Sequence, residues 1–264
     1  MARKIVVTSG KGGVGKTTIS ANLGANLAKL GKKVVILDVD IGLNNLDVVM
    51  GIENKIVFDI VDCIEGRCRV KQAIIQDFCE PNLFIMPSSQ SLNGTRVSGS
   101  GIKSIVDELS DNFDYVLIDC PAGIDIGFHR AVFSASEALV VTTPHLSAIK
   151  DADKVVDILK TYCLSSVGLI INRVRGDLIL NKEMMTVESI SKFFDIDLVG
   201  VVPEDDKISA YLSLGKTINV KSKALSAFNL LAQNIHYGFR KIYDVTYSYN
   251  GLFGYIKRSL RKNI

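Results

Sequence analysis

Ile5-Val-Val-Thr-Ser-Gly-Lys-Gly-Gly-Val-Gly-Lys-Thr-Thr18 decides the fold. A short apolar strand runs into a glycine-rich turn, and the turn opens a helical pattern over Lys16–Leu30 that reads as amphipathic. Gly10–Thr17 satisfies G-x-x-x-x-G-K-[ST] in the strand–loop–helix setting which that motif requires. Glycines let backbone N–H groups wrap a phosphate, and the helix N-terminus adds positive partial charge. The nucleotide-binding set is therefore Lys11, Gly12, Gly13, Val14, Gly15, Lys16, Thr17 and Thr18. Lys16 is suited to β/γ oxygens and the Thr17 hydroxyl to Mg²⁺.

Working outward, further apolar runs recur at Val34–Leu37, Leu83–Met86, Tyr115–Ile118, Leu139–Thr142, Val167–Ile171 and Leu198–Val202. They are continuous rather than alternating, as in strands covered on both faces. Helical stretches lie between them at Ile102–Leu109, Gly127–Ala135, Ala148–Tyr162 and Met184–Phe194, with a final one over Ser222–Tyr243. This order predicts an α/β fold, a single-domain P-loop NTPase with a mostly parallel central sheet flanked by helices. Residues 1–243 form that domain, 244–251 a short tether, and 252–264 a C-terminal amphipathic membrane-targeting helix.

Two of the strands end in acids, at Asp38-Val-Asp40 and at Asp119. Ligands of open α/β sheets lie at the carboxyl ends of strands, so the three acids should converge on the terminal phosphate. Asp119 fits an acid that orders Mg²⁺, Asp38 is expected to do likewise, and Asp40 is placed to position the attacking water. Asn172-Arg173 and Pro203-Glu204 also follow strands, and an Asn amide pairs with an adenine edge through donor and acceptor. With no guanine-reading N-K-x-D sequence, ATP/ADP is the expected nucleotide.

The chain has 264 residues, 47% hydrophobic and 22% charged, with a net charge of +3. These values exclude a disordered or low-complexity protein and give no general signal for nucleic acid; no specific nucleic-acid partner is expected. The five cysteines include no C-x-x-C pair, which reads as reduced buried thiols in a cytosolic protein. Met1–Thr8 holds no apolar stretch of the length a signal peptide needs, and no apolar run is long enough to span a bilayer.

A second lysine in the loop, Lys11, makes the sequence KGGVGKTT, which resembles the deviant Walker A ATPases: the partition, septum-site, nitrogenase-reductase and arsenite-pump group. Residues 36–68 (ILDVDIGLNNLDVVMGIENKIVFDIVDCIEGRC), 115–125 (YVLIDCPAGID) and 142–159 (TTPHLSAIKDADKVVDIL) are similar to the MinD branch of septum-site-determining ATPases. The similarity runs over nearly the whole chain. It implies a homodimer when ATP is bound, recruitment of the division inhibitor MinC, and stimulation of hydrolysis by MinE or a comparable regulator. It also implies that Lys11 reaches the partner's phosphates, Asp40 positions water, and Asp151 binds a partner. The implied localisation is cytoplasmic and reversibly peripheral on the inner membrane, or the stroma of a plastid. Two positions depart from the family pattern, His145 and Asp125, where Glu is usual at each.

The end of the chain reads YNGLFGYIKRSLRKNI from Tyr249. On a helix, Leu252, Phe253, Ile256, Leu260 and Ile264 fall within roughly 120° of arc. Lys257, Arg258, Arg261 and Lys262 occupy the rest, with no acid to balance them. An apolar face opposite a cationic one is the pattern of a helix lying on anionic lipid. Partial burial of five apolar side chains contributes roughly 5 kcal/mol, and each cation adds about 1 kcal/mol. One copy binds weakly; two on a dimer gain about 10²–10⁴-fold in effective affinity.

Other classes fit less well. A DNA-partition ATPase needs a basic body, yet removing the tail's four cations leaves 27 of the 31 against 28 acids. A flagellar-number regulator usually carries an extension before the loop. The tyrosines near the C-terminus suggest an autokinase, but such kinases lack the lysine at the Lys11 position.

Overall fold

Strands that are apolar without interruption need cover on both faces, and they receive it. A computed structural model describes residues 2–42, 45–89 and 97–250. Among these residues, β1 (Arg3–Thr8), β2 (Val34–Asp38), β3 (Ile75–Gln76), β4 (Leu83–Met86), β5 (Tyr115–Asp119), β6 (Glu137–Thr142), β7 (Ser166–Val174) and β8 (Asp197–Pro203) form one sheet. Its order is β3-β4-β2-β5-β1-β6-β7-β8. Every neighbouring pair is parallel except β3–β4.

The helices are α1 (Lys16–Lys29), α2 (Asn45–Met50), α3 (Ile60–Ile64), α4 (Val70–Ala73), α5 (Gly99–Ser110), α6 (Ile126–Phe133), α7 (Leu146–Leu159), α8 (Gly176–Leu180), α9 (Val187–Ser191), α10 (Asp206–Leu212) and α11 (Lys223–Tyr237). Val6, Leu37, Val116, Ile118 and Val140 point to one face of the sheet, into a core shared with Ile105 of α5, Phe128 of α6 and Ile149 of α7. Ile5, Val7, Ile36, Leu117 and Val141 point to the other, against Ile19, Leu23 and Leu27 of α1 and Phe228 and Leu231 of α11. Each fully buried Ile, Leu or Phe contributes about 1.5–3 kcal/mol by leaving water.

The sheet and its principal helices match the expected α/β architecture, with several corrections. α1 is not amphipathic: residues 19–28 are all buried, because the sheet, α2 and α11 enclose it. Its polar residues pair inside the fold, Asn22 accepting from the Ile218 amide at 2.9 Å and Asn26 donating to the Asn22 carbonyl at 2.7 Å. The helix expected over Met184–Phe194 shrinks to the five residues of α9. That expected over Ser222–Tyr243 stops at Tyr237, where Gly238 takes φ +72° and caps it. A left-handed cap of this kind suits glycine and ends a helix.

The expected tether is anchored at two points: Val245 and Tyr249 are buried, and Lys223 donates to the Tyr249 hydroxyl at 3.0 Å. β3, α2, α3, α4, α8 and α10 were not legible, being too short to show periodicity. The cysteines are not uniformly buried. Cys120 is, whereas Cys63 and Cys68 are half-buried and Cys79 and Cys163 exposed. No helix among the described residues is long and apolar enough to cross a membrane. The amphipathic tail, with Leu252, Phe253, Ile256, Lys257, Arg258, Leu260, Arg261, Lys262 and Ile264, lies outside the described residues.

Candidate functional site

Parallel register brings the acids together. Asp38 of β2 pairs with Asp119 of β5, and Asp119 is level with Val7 of β1, so both carboxylates stand beside the loop that leaves β1 at Thr8. Thr17 donates its hydroxyl to Asp119 Oδ2 at 2.7 Å, and Ser20 donates to Oδ1 at 2.7 Å. Asp38 accepts from the Asp40 amide at 2.9 Å through Oδ1 and from the Leu46 amide at 3.2 Å through Oδ2. Both carboxylates are buried.

Burial dominates the electrostatics. It pushes Asp38 up to about 8, and the neighbouring charge of Asp119 adds to the rise. Asp119 is raised by burial as well, against the opposing hydrogen bonds from Thr17 and Ser20 and the charge of Lys16. Asp40, half-buried, is raised by burial and drawn back by Lys16. Carboxylates so close repel unless a cation lies between them. A threonine hydroxyl beside such acids is a hard-oxygen donor set, so the residues present fit Mg²⁺.

The loop itself is shaped by close approach. Gly15 has φ +95°, and a Cβ there would lie 2.4 Å from Asn172 Nδ2. A Cβ on Gly10 would lie 2.2 Å from the Asp151 backbone, so the loop rests directly on α7. Gly13 also has positive φ, +77°. Ser9 donates through its hydroxyl to the Lys11 carbonyl at 2.9 Å, and the Gly123 amide donates to the Ser9 carbonyl at 3.1 Å. These bonds couple the phosphate loop to the segment after Asp119.

Asn172 is buried and donates to the Val14 carbonyl at 2.8 Å, bracing the loop. It also lines, with Thr18, Arg173, Pro203 and Glu204, a cavity of about 100 Å³ beside the loop. The suggested adenine-side residues are thus brought together, although one amide hydrogen of Asn172 is already committed.

Lys11 and Lys16 differ. Lys16 is half-buried and its charge acts on Asp40 and Asp119. Lys11 is exposed and its Nζ lies 3.4 Å from Ser147 Oγ on α7. Leu146, next to Ser147, is exposed, and so are Ile124 and Ile126, which follow the Gly123 that donates to Ser9. His145 and Asp125 are the exposed N-cap residues of α7 and α6, away from the carboxylates but on this same rim. Asp151 is partly exposed and takes Lys154 at 3.4 Å.

Sequence reasoning missed Ser20. The signal existed: Thr17 and Ser20 are three apart in α1, a spacing that puts both hydroxyls on one helix face.

The nucleotide-binding domain model described as CobQ/CobB/MinD/ParA matches residues 5–218. The septum site-determining protein MinD of Bacillus subtilis is 46% identical over 239 residues, 89% of each chain. The MinC:MinD cell division protein complex of Aquifex aeolicus contains a chain that superposes with a TM-score of 0.82 at 38% identity, covering 89% of this chain and 95% of that one. A septum site-determining MinD of Pyrococcus horikoshii, solved with Mg-ADP, gives a TM-score of 0.81 at 31% identity over 89% and 96%. With its phosphate loop, its converging carboxylates and these relatives, the chain belongs to the MinD family of septum-site-determining P-loop ATPases.

Proposed function

We propose that this chain hydrolyses ATP as a membrane-attached homodimer that recruits a MinC-like division inhibitor and so helps place the division site. The contrast between the two loop lysines carries the proposal. The charge of Lys16 acts on Asp40 and Asp119 of its own subunit, while Lys11 stands exposed on a rim that mixes apolar Ile124, Ile126 and Leu146 with His145, Ser147 and Asp125. An exposed cation on a rim of apolar and polar side chains is what a second subunit needs in order to meet the first and to lend charge to its phosphates. Charge supplied in this way counts most in a dry, preorganised site, where transition-state stabilisation is strongest.

Within each subunit, backbone amides from Gly12 to Thr18 bind the phosphates, and Lys16 neutralises β/γ oxygens. Thr17, Asp119 and Asp38 would hold Mg²⁺, which when bound supplies charge for the transferring phosphoryl group. Asp40, near Lys16, orients the attacking water. Thr18, Asn172, Arg173, Pro203 and Glu204 form the base side of the site.

Asp151 lies on the helix against which the loop packs, so its surroundings can register loop state and pass it to the inhibitor. Relatives include a chain from a MinC:MinD complex, which supports that choice of partner. A MinE-like regulator would bind the same rim. The basic amphipathic tail supports reversible attachment to anionic lipid at the inner face of the membrane, strengthened when two tails act together.

The test is ATPase turnover with and without anionic liposomes for wild type, Lys11→Ala and a chain ending at Asn250. Wild type should hydrolyse ATP and sediment with liposomes only when ATP is present. Lys11→Ala should bind nucleotide yet lose turnover, and the truncated chain should stay in the supernatant. Wild-type turnover in Lys11→Ala, or a chain that stays monomeric with a non-hydrolysable triphosphate and Mg²⁺, would overturn the dimer.

A further inference from the structure

Away from the phosphate loop, two cysteines meet. α3 ends at Ile64, and Gly66 at φ +72° folds the chain back on itself. The reversal is held by the Gly66 amide on the Cys63 carbonyl at 3.1 Å and the Arg67 amide on the Asp62 carbonyl at 2.9 Å. It lays Cys68 over Cys63, with the sulfurs 3.4 Å apart. Both thiols are partly exposed and line a cavity of about 720 Å³. Exposed Arg69 and Lys71 stand on its wall with the polar Ser98, Ser100 and Ser104, and Glu108 is the acid present there.

We propose that Cys63 and Cys68 form an oxidisable dithiol site, closed to an intramolecular disulfide by a low-molecular-weight disulfide that carries carboxylates. The sulfurs need only approach from 3.4 Å to the disulfide bond length of about 2.05 Å, a change within reach of side-chain rotation on a six-residue corner. The two cations suit a carboxylate-bearing reagent, and the cavity admits one of peptide size.

Exchange occurs in two displacements. The thiolate of Cys68 attacks one sulfur of the reagent, breaking its S–S bond and releasing one thiol, which takes up the proton that Cys68 gave up. The thiolate of Cys63 then attacks Cys68 Sγ in the mixed disulfide and expels the second thiol, which takes up the proton from Cys63. The cysteine pair loses two electrons and two protons, and the reagent gains them as two thiols. Burial, together with Cys68 itself and the charges of Asp62 and Asp59, pushes the Cys63 thiol up, which suits Cys63 to the resolving step. Held 3.4 Å from Cys68, it resolves readily, since proximity replaces a bimolecular encounter.

The test treats the full chain with oxidised glutathione and maps it by mass spectrometry without reduction. Trypsin cleaves at Arg67, between the two cysteines, so a disulfide keeps two peptides joined with the loss of two hydrogens. Wild type should give this linked pair and no glutathione on either residue, while exposed Cys79 and Cys163 keep glutathione adducts. Cys63→Ser should trap glutathione on Cys68. Cys68→Ser should in turn take it on Cys63. A lasting adduct on Cys68 of wild type, or free thiols at both positions after Cys79 and Cys163 have reacted, would overturn the site.

Discussion

Replacing Ser20 with Ala removes a hydroxyl and almost nothing else, which makes it a clean probe of the carboxylate cluster. Ser20 is fully buried and donates to Asp119 Oδ1 at 2.7 Å. The alanine protein leaves that oxygen without its donor in a site that water does not reach freely. A buried acceptor stripped of its partner costs about 1–3 kcal/mol, which for a chain of this size lowers Tm by roughly 2–10 °C. A second effect follows from charge. The Ser20 hydrogen bond holds the Asp119 carboxyl down against burial, so its loss raises that group further. Mg²⁺ then competes with a proton that is held more tightly. At pH 7 the apparent Mg²⁺ affinity, read by titrating a fluorescent nucleotide complex with the metal, should fall roughly tenfold, the factor that a lost hydrogen bond of about 1.5 kcal/mol to a charged group is worth. The deficit should narrow as pH rises, because proton competition weakens in both proteins. Ser20→Thr keeps the donor and should recover the metal affinity even if the added methyl costs some stability. Wild-type metal affinity at pH 7 together with an unchanged Tm in Ser20→Ala would refute the role given to this hydroxyl.

Two further perturbations probe the same neighbourhood. Asp38 is raised to about 8 in the fold, so the native state keeps a proton that the unfolded chain releases above about pH 4. Stability of the metal-free protein should therefore fall as pH rises from about 4 through 8 and level off beyond, by an amount on the order of 2–4 kcal/mol. In Asp38→Asn, urea unfolding followed across this range should lose part of that slope, the remainder belonging to Asp119, which burial also raises; an unchanged slope counts against Asp38 as a source. For Gly15→Ala, a Cβ 2.4 Å from Asn172 Nδ2 at φ +95° must displace the Asn172–Val14 hydrogen bond. With about 1–2 kcal/mol more for the left-handed backbone, nucleotide affinity by equilibrium dialysis should drop more than tenfold while far-UV circular dichroism stays native. Retained affinity would mean that the loop does not depend on this close approach.

The phosphate loop was legible from Gly10 to Thr18 because its chemistry is local: glycines for the turn, a lysine for charge, a hydroxyl for the metal, all within one strand–loop–helix. The seven longer strands were legible because a strand covered on both faces is apolar at every position. Asp38 and Asp119 could be matched to the loop because parallel strands deliver their ends to one side of the sheet. The tail's two faces are likewise a property of spacing. Short-range signals fail where a segment is too brief for a period, as in α2, α3, α4, α8 and α10, or where a helix is enclosed on all sides, as α1 is.

Tertiary structure alone decided the rest, because contacts between residues distant in sequence leave no mark on either one. It levelled Asp38 with Asp119, and it turned Ser20 from an ordinary helix serine into the second donor on a buried carboxylate. It spent an amide hydrogen of Asn172 on the Val14 carbonyl, 158 positions away. It packed Val245 and Tyr249 onto the body, where the sequence alone reads as a tether. Even Cys63 and Cys68, only five positions apart, meet because one left-handed glycine reverses the chain between them. Residue type and spacing determine which chemistry this chain can perform; the packing of the sheet and its helices determines which of those groups are buried together, and burial sets their charge.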